Sequence, residues 1–122
     1  MDKRDSPKEY DLDERTFQFA SDVIQFVKLL PRTISNIEIV KQLVRAAGSV
    51  GANYIEASES LGKKDFILHI KICRKEAKEC RYWLRLVDIG NRDISDTRKS
   101  LSIETTELMK IFGSIIEKAK QN

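Results

Sequence analysis

The stretch KKDFILHIKICRKEAKECRYWLRLV, residues 63–87, carries the strongest pattern in the chain. Its apolar residues lie alternately four and three positions apart without interruption. They are Phe66, Ile70, Cys73, Ala77, Cys80, Leu84 and Val87. Positions three and four apart share one side of an α-helix, so this spacing predicts a long helix with one buried side. Such a helix is typical of a helical bundle.

Two more helices are predicted before this stretch. The first begins near Asp13 and ends at Pro31, because proline interrupts a helix. Its expected core line is Phe17, Ala20, Ile24 and Val27. The second follows a capping box formed by Ser35 and Glu38 and extends to about Leu61. Its expected core line is Val40, Leu43, Ala47, Val50, Tyr54, Ala57 and Leu61.

A fourth helix is predicted after Gly90 and runs almost to the C-terminus. Its expected core line is Leu101, Leu108, Phe112, Ile115 and Ala119. Four helices joined by short turns predict an all-α, up-down-up-down four-helix bundle. Residues 1–14 carry nine charged side chains and are expected to form a flexible N-terminal tail, so the bundle is assigned to residues 15–122.

Composition narrows the class of protein. The chain has 122 residues, of which 41% are hydrophobic, and only five glycines and two prolines, which favours one helical domain. No apolar run is long enough to cross a membrane and the N-terminus is too charged for a secretory signal, so a cytoplasmic location is expected. Cys73 and Cys80 lie about 10 Å apart on one helix, beyond disulfide reach. With His69 as the single histidine, no metal site or cofactor is predicted.

Two glycines occur within the predicted second helix, in RAAGSVGANYIEASES, residues 45–60. The segment GSVG lacks the lysine and hydroxyl residue of a phosphate-binding loop. Gly48 and Gly51 each cost about 1 kcal/mol against alanine in a helix, so close packing is expected to offset them. With Ala47 and Ala52 they form a patch of little bulk. This patch predicts a packing seam, either to a helix of the same chain or to a second subunit.

Asn53 and Glu56 belong to a polar stripe on the same helix. The other members of the stripe are Arg45, Ser49 and Ser60. Three interpretations are open: a solvated face, partly buried hydrogen bonds that fix helix or subunit register, and catalysis with Glu56 as a general base. The third is disfavoured because no nucleophile, second titrating group or metal set accompanies these residues. The chain is therefore not expected to be an enzyme.

Positive charge is concentrated on the predicted third helix. The whole chain has a net charge of +3, whereas residues 63–92 contain nine lysine and arginine residues against four carboxylates, a net charge of +5. Four of the cations form one line about 17 Å long at 1.5 Å per residue. They are Arg74, Lys78, Arg81 and Arg85, with Lys71 and Lys75 beside them. This line predicts contact with nucleic-acid phosphates, and a solvated helix face is the alternative.

The same helix has spare apolar surface away from the basic line. Its members are Leu68, Ile72, Trp83 and Leu86. Unused apolar surface that includes a tryptophan predicts a subunit contact, with Ile72 and Trp83 in the seam. The alternative is that Trp83 widens the core of a single bundle.

Two segments carry a resemblance to a known family. QLVRAAGSVGANYIEASES, residues 42–60, resembles the second-helix signature QLRRAAxSIxxNIAEG of the small four-helix bundle proteins encoded in intervening sequences of bacterial 23S ribosomal RNA genes. The matching positions are Gln42, Leu43, Arg45, Ala46, Ala47, Ser49, Asn53 and Glu56. Residues 63–86 are similar to the third helix of that family, including the acidic-aromatic pair Asp65 and Phe66. Gly51, Ala52, Ile55 and Ala57 depart from the family pattern.

The segment RYWLRLV, residues 81–87, is similar to the accessory variability proteins of diversity-generating retroelements. Together these resemblances imply a homopentameric ring of bundles, a positively charged surface or channel, binding of RNA or DNA, and a polymerase-type protein partner such as a reverse transcriptase. The sequence hypothesis is thus a non-enzymatic, homo-oligomeric bundle that binds nucleic acid, RNA in particular. The alternative is a protein-interaction scaffold or accessory subunit for a polymerase or reverse transcriptase.

Overall fold

The structure is a computed structural model that describes residues 11–121. It contains four helices: α1 (Leu12–Val27), α2 (Ile34–Ser58), α3 (Lys63–Leu86) and α4 (Ser95–Gln121). No strand occurs within residues 11–121, which confirms the all-α prediction. The predicted tail ended at residue 14, whereas α1 begins at Leu12, whose side chain is buried. The rest of that tail, residues 1–10, lies outside the described residues.

Consecutive helices are antiparallel neighbours. Arg45 of α2 contacts Glu79 of α3, and Asn53 of α2 contacts His69 of α3. The two helices therefore run in opposite directions. The α2–α3 and α3–α4 pairs have the most extensive contacts, and α1 packs mainly on α2. A bidentate ion pair between Arg15 and Glu104, at 2.7 and 2.8 Å, joins α1 to α4. The result is the predicted up-down-up-down bundle.

The core line predicted for α3 is confirmed. Its central members are fully buried, Val87 is buried just beyond the helix, and Phe66 packs against the core from the edge. The α2 line is also buried or half-buried from Val40 to Ala57. Leu61 is the exception: it is fully exposed because α2 ends at Ser58, and its assignment to the core was wrong.

The core line predicted for α1 was wrong for Phe17 and Ile24, whereas Ala20 and Val27 are half-buried and pack against the core. The side chains that α1 buries are Leu12, Thr16, Phe19, Val23 and Phe26. Phe17 is 65% exposed and Ile24 is 42% exposed. Helix α1 has apolar residues on two sides, and the core receives the side that carries Phe19 and Phe26. Thr16 fits this apolar side because its hydroxyl donates to the Leu12 carbonyl oxygen at 2.7 Å.

The start of α2 also differs from the prediction. Thr33, not Ser35, is the N-cap, and its hydroxyl accepts from the backbone N–H of Asn36 at 3.1 Å. Ser35 lies inside the first turn, and Glu38 pairs with Lys41 at 3.2 Å instead of closing a capping box. The predicted serine and glutamate are therefore surface residues of the helix.

Candidate nucleic-acid interface

The basic line predicted on α3 lies along the edge that α3 shares with α4. We define it as Arg74, Lys78, Arg81 and Arg85, with Lys71 and Lys75 beside it. Five of these six side chains are exposed. Arg81 is half-buried, and its Nη1 donates to Thr106 Oγ1 of α4 at 3.1 Å. This hydrogen bond holds the Arg81 guanidinium at the α3–α4 edge.

Arg74 also lies close to α4. A Cβ atom built on Gly113 would lie 3.7 Å from Arg74 Nη1. Because glycine has no side chain, Gly113 leaves space on α4 beside this guanidinium. Arg74 and Arg81, about two helical turns apart on α3, thus both lie beside α4.

Most of these cations lack a neighbouring carboxylate. Lys75 Nζ lies 3.8 Å from Glu76 Oε2. Among residues 11–121, no carboxylate lies within 4.0 Å of a cationic nitrogen of Lys71, Arg74, Lys78 or Arg85. Their positive charge is available to an external anion such as a phosphate.

The carboxylates of α3 are turned toward α2. Glu76 is only 5% exposed, and its Oε1 lies 3.5 Å from Arg45 Nη2. Glu79 lies 3.3 Å from the same guanidinium nitrogen. Arg45 therefore offsets negative charge at the α2–α3 seam, which leaves the other edge of α3 positive.

The polar stripe of α2 lies along this same seam. Asn53 Nδ2 donates to both the carbonyl oxygen and the hydroxyl of Ser49 at 3.0 Å. Its Oδ1 lies 3.2 Å from His69 Nδ1, and His69 Nε2 lies 3.5 Å from Asp65 Oδ1. Asn53 is thus half-buried in contacts within the chain. Glu56, by contrast, is exposed.

The small-residue patch of α2 divides into two parts. Gly51 packs on α1, where an added Cβ would lie 3.2 Å from Thr16 Oγ1, so this glycine belongs to a seam within the chain. Gly48 is exposed, with no atom within 4 Å of an added Cβ, and Ala52 is also exposed.

Gly48 and Ala52 line an open groove of about 640 Å³ between α1 and α2, which we call the α1/α2 groove. Its apolar wall includes Phe17 and Ile55, both more than half exposed. Its rim carries the carboxylates of Asp13, Glu14 and Glu59. Phe17 and Ala20, which the sequence assigned to the core, thus form part of one wall of this groove.

The apolar side of α3 is only partly covered. Trp83 and Ile72 are half-buried, and Trp83 packs against the core, while Leu68 and Leu86 are about half exposed. Tyr82 is 55% exposed and was not predicted as a functional residue. Its ring lies edge-on to that of Trp83, at a centroid distance of 4.9 Å and an interplanar angle of 73°. The missed signal is its spacing: Tyr82 follows Lys78 by four residues and precedes Arg85 by three.

The two cysteines are core residues. Both are buried free thiols, and burial raises the pKa of each to about 12. Cys73 Sγ donates to the Val50 carbonyl oxygen at 3.3 Å. Across residues 11–121, no group of three or more histidine, cysteine, aspartate or glutamate residues is placed to hold a metal ion, and no helix is long and apolar enough to cross a membrane.

These features define a small antiparallel four-helix bundle with one basic helix edge. The chain belongs to the 23S rRNA-intervening sequence protein family, whose sequence profile matches residues 8–114. This finding confirms the resemblance to the intervening-sequence proteins.

A solved structure supports the same assignment. The chain is similar to a protein of unknown function from the S23 ribosomal protein family of Bacteroides thetaiotaomicron VPI-5482, known from a crystal structure at 1.70 Å resolution. The two are 30% identical, with a TM-score of 0.79, and the match covers 91% of this chain and 99% of the other. No curated protein matches the chain.

Proposed function

We propose that this protein is a non-enzymatic, homo-oligomeric binder of nucleic acid, RNA in particular, that acts in the cytoplasm. The observation that carries the proposal is the basic line of α3, in which Arg74, Lys78 and Arg85 have no carboxylate partner among residues 11–121. The chain belongs to the 23S rRNA-intervening sequence protein family, and the family resemblance implies binding of RNA or DNA, which supports a nucleic-acid ligand.

Self-association would strengthen this binding. A single chain has a net charge of only +3, which gives a weak field for attracting a polyanion. A ring, which the family resemblance implies to be a pentamer, would repeat the basic line in each subunit. The exposed apolar wall of the α1/α2 groove offers surface for such a contact, because exposed apolar patches commonly mark interaction sites.

The contacts of Asn53 and the exposure of Glu56 argue against catalysis by these residues. Asn53 is held by Ser49 and His69, so its amide is already engaged in helix packing. Glu56 is exposed, and it is not among the residues that line the α1/α2 groove. A general base needs a substrate site within hydrogen-bond reach, which an open helix face does not provide.

A charge-reversal variant tests the proposal. Changing the four residues of the line to glutamate is expected to reduce affinity for a fluorescently labelled RNA by more than tenfold in an anisotropy titration. The substitutions are Arg74→Glu, Lys78→Glu, Arg81→Glu and Arg85→Glu. Circular dichroism is expected to show unchanged helicity, and unchanged RNA affinity would overturn the proposal.

A matched variant separates location from total charge. It reverses four exposed cations elsewhere on the bundle: Lys28→Glu, Arg32→Glu, Lys99→Glu and Lys118→Glu. Both variants have the same net charge, so a much smaller loss of affinity in this control assigns binding to α3. Equal losses in both variants would show a non-specific charge effect.

The α1/α2 groove favours a second candidate function, that of a protein-interaction scaffold or accessory subunit for a polymerase or reverse transcriptase. Its apolar wall and acidic rim are suited to an amphipathic helix of another protein. A pull-down performed with and without nuclease distinguishes the candidates. A protein partner retained after nuclease treatment supports the scaffold, whereas loss of all partners supports nucleic-acid binding.

A further inference from the structure

Tyr82 occupies an unusual position on α3. Its ring is 55% exposed, and it lies one helical turn from two exposed cations of the basic line, Lys78 and Arg85. Side chains three and four residues apart on a helix have Cβ atoms about 5–6 Å apart. An aromatic face is therefore placed between two groups that attract phosphates.

The ring of Tyr82 also packs against a neighbouring aromatic residue, Trp83. Its contact with Trp83 is edge-on, an arrangement that aromatic pairs favour. Trp83 in turn packs against the core, so the contact restrains the ring on a rigid element. A supported aromatic ring loses little conformational freedom when a flat ligand stacks on it.

We infer that Tyr82 is a stacking platform for an unpaired base, and that the basic line binds single-stranded RNA with phosphates at Lys78 and Arg85. This inference rests on the proposed function and narrows its ligand class. Single-stranded sites combine a cationic track with aromatic rings on which bases stack. A base stacks on a ring only when the base is not enclosed in a helix.

Duplex RNA is recognised through different features. Double-stranded RNA is recognised mainly by its shape and through contacts to 2′-hydroxyl and phosphate groups, and its bases are inaccessible to an aromatic face. An exposed tyrosine within the basic line adds nothing to such a contact. The position of Tyr82 thus favours binding of single-stranded RNA over binding of duplex RNA.

Three substitutions test this role with two probes, a single-stranded oligouridylate and an RNA duplex of equal length. Tyr82→Phe keeps the stacking face, Tyr82→Leu keeps apolar bulk without it, and Tyr82→Ala removes both. Tyr82→Leu and Tyr82→Ala are expected to lose roughly 5- to 150-fold in single-strand affinity, the range for one stacked base. Tyr82→Phe is expected to bind like the parent protein, and duplex affinity is expected to stay constant in all three.

Trp83 provides a direct readout because it is the only tryptophan in the chain. Its fluorescence is expected to change when the oligouridylate binds the parent protein and not when it binds Tyr82→Leu at saturation. Leu86→Ala, an exposed apolar change one turn from Tyr82, is the control and is expected to leave affinity unchanged. Circular dichroism verifies that each variant remains helical.

The outcomes separate this inference from the proposed function. If the charge-reversal variant loses binding and Tyr82→Leu does not, stacking is refuted while the basic interface stands. If Tyr82→Leu weakens single-strand and duplex binding equally, the inferred strand preference is wrong. If the parent protein binds neither probe, the proposed function and this inference are both overturned.

Discussion

Asn36 and Asp88 are joined by two hydrogen bonds, although 52 residues separate them in the chain. Asn36 Nδ2 donates to the Asp88 carbonyl oxygen at 2.8 Å, and Asn36 Oδ1 accepts from the Asp88 backbone N–H at 3.0 Å. The same Nδ2 also donates to the Pro31 carbonyl oxygen at 2.9 Å. One buried amide thus fastens the α1–α2 turn to the chain just after α3.

Removing this amide is expected to destabilise the bundle. Asn36→Ala leaves part-buried backbone groups of Pro31 and Asp88 without their partner, and an unsatisfied group costs up to about 1–3 kcal/mol, less where water reaches it. We expect a loss of about 3 kcal/mol in the free energy of unfolding, measured by urea denaturation. Asn91→Ala, at an exposed asparagine, is the control and is expected to change stability by less than about 0.5 kcal/mol. Equal stability of the two variants would contradict this assignment.

The buried thiols make a second prediction. Burial raises the pKa of Cys73 and Cys80 from 9.0 to about 12, so the reactive thiolate is scarce in the folded protein. At pH 8 a thiol reagent such as dithionitrobenzoate is expected to modify neither cysteine in native protein and both in urea. Rapid labelling of the native protein would show that this part of the core opens readily.

The raised pKa values of the two thiols also determine how the stability of the protein changes with pH. Below pH 9 the thiols are protonated in both states, so they contribute no change in stability with pH. Between about pH 9 and 12 the unfolded chain loses thiol protons that the folded chain retains. The contribution of these thiols to the free energy of unfolding therefore decreases over that range. Cys73→Ala with Cys80→Ala is expected to flatten this part of the urea-denaturation profile.

The success of the sequence prediction depended on how many apolar sides a helix has. Helix α3 has one uninterrupted line from Phe66 to Val87, and that line is the core. Helix α1 has two apolar lines, one with Phe17 and one with Phe19. Periodicity alone does not show which of the two lines is buried. The choice is made by packing against the other helices, which is a tertiary property.

The candidate interface was predictable to a similar extent. Helical spacing places Arg74 and Arg81 on one line, and the structure agrees. Their positions beside Gly113 and Thr106 depend on how α4 is rotated against α3. The spacing of residues within α3 gives no information on that rotation. The hydrogen bonds between Asn36 and Asp88 were missed for the same reason, since the two residues are distant in sequence.

Self-association through the α1/α2 groove makes a fourth prediction. Light scattering coupled to size exclusion is expected to give the parent protein a mass of two or more times the 14.1 kDa of one chain. Gly48→Arg adds a bulky cation to an open position on the helix surface, so the monomer fold is expected to survive while the assembly dissociates. Gly48→Ala is the control, because it has space and favours helix by up to about 1 kcal/mol. A parent protein that is monomeric would remove the proposed oligomer.

The salt dependence of RNA binding makes the last prediction. Each phosphate neutralised on a single strand contributes about −0.7 to the slope of log affinity against log salt concentration, so four contacts give a slope of about −3. Lys78→Gln removes one exposed, unpaired cation of the basic line and is expected to make the slope less negative by about 0.7. Lys118→Gln, an equal charge change in the last turn of α4, is expected to leave the slope unchanged. If both substitutions change the slope equally, phosphate binding is not localised on α3, and the α3–α4 edge is not the interface.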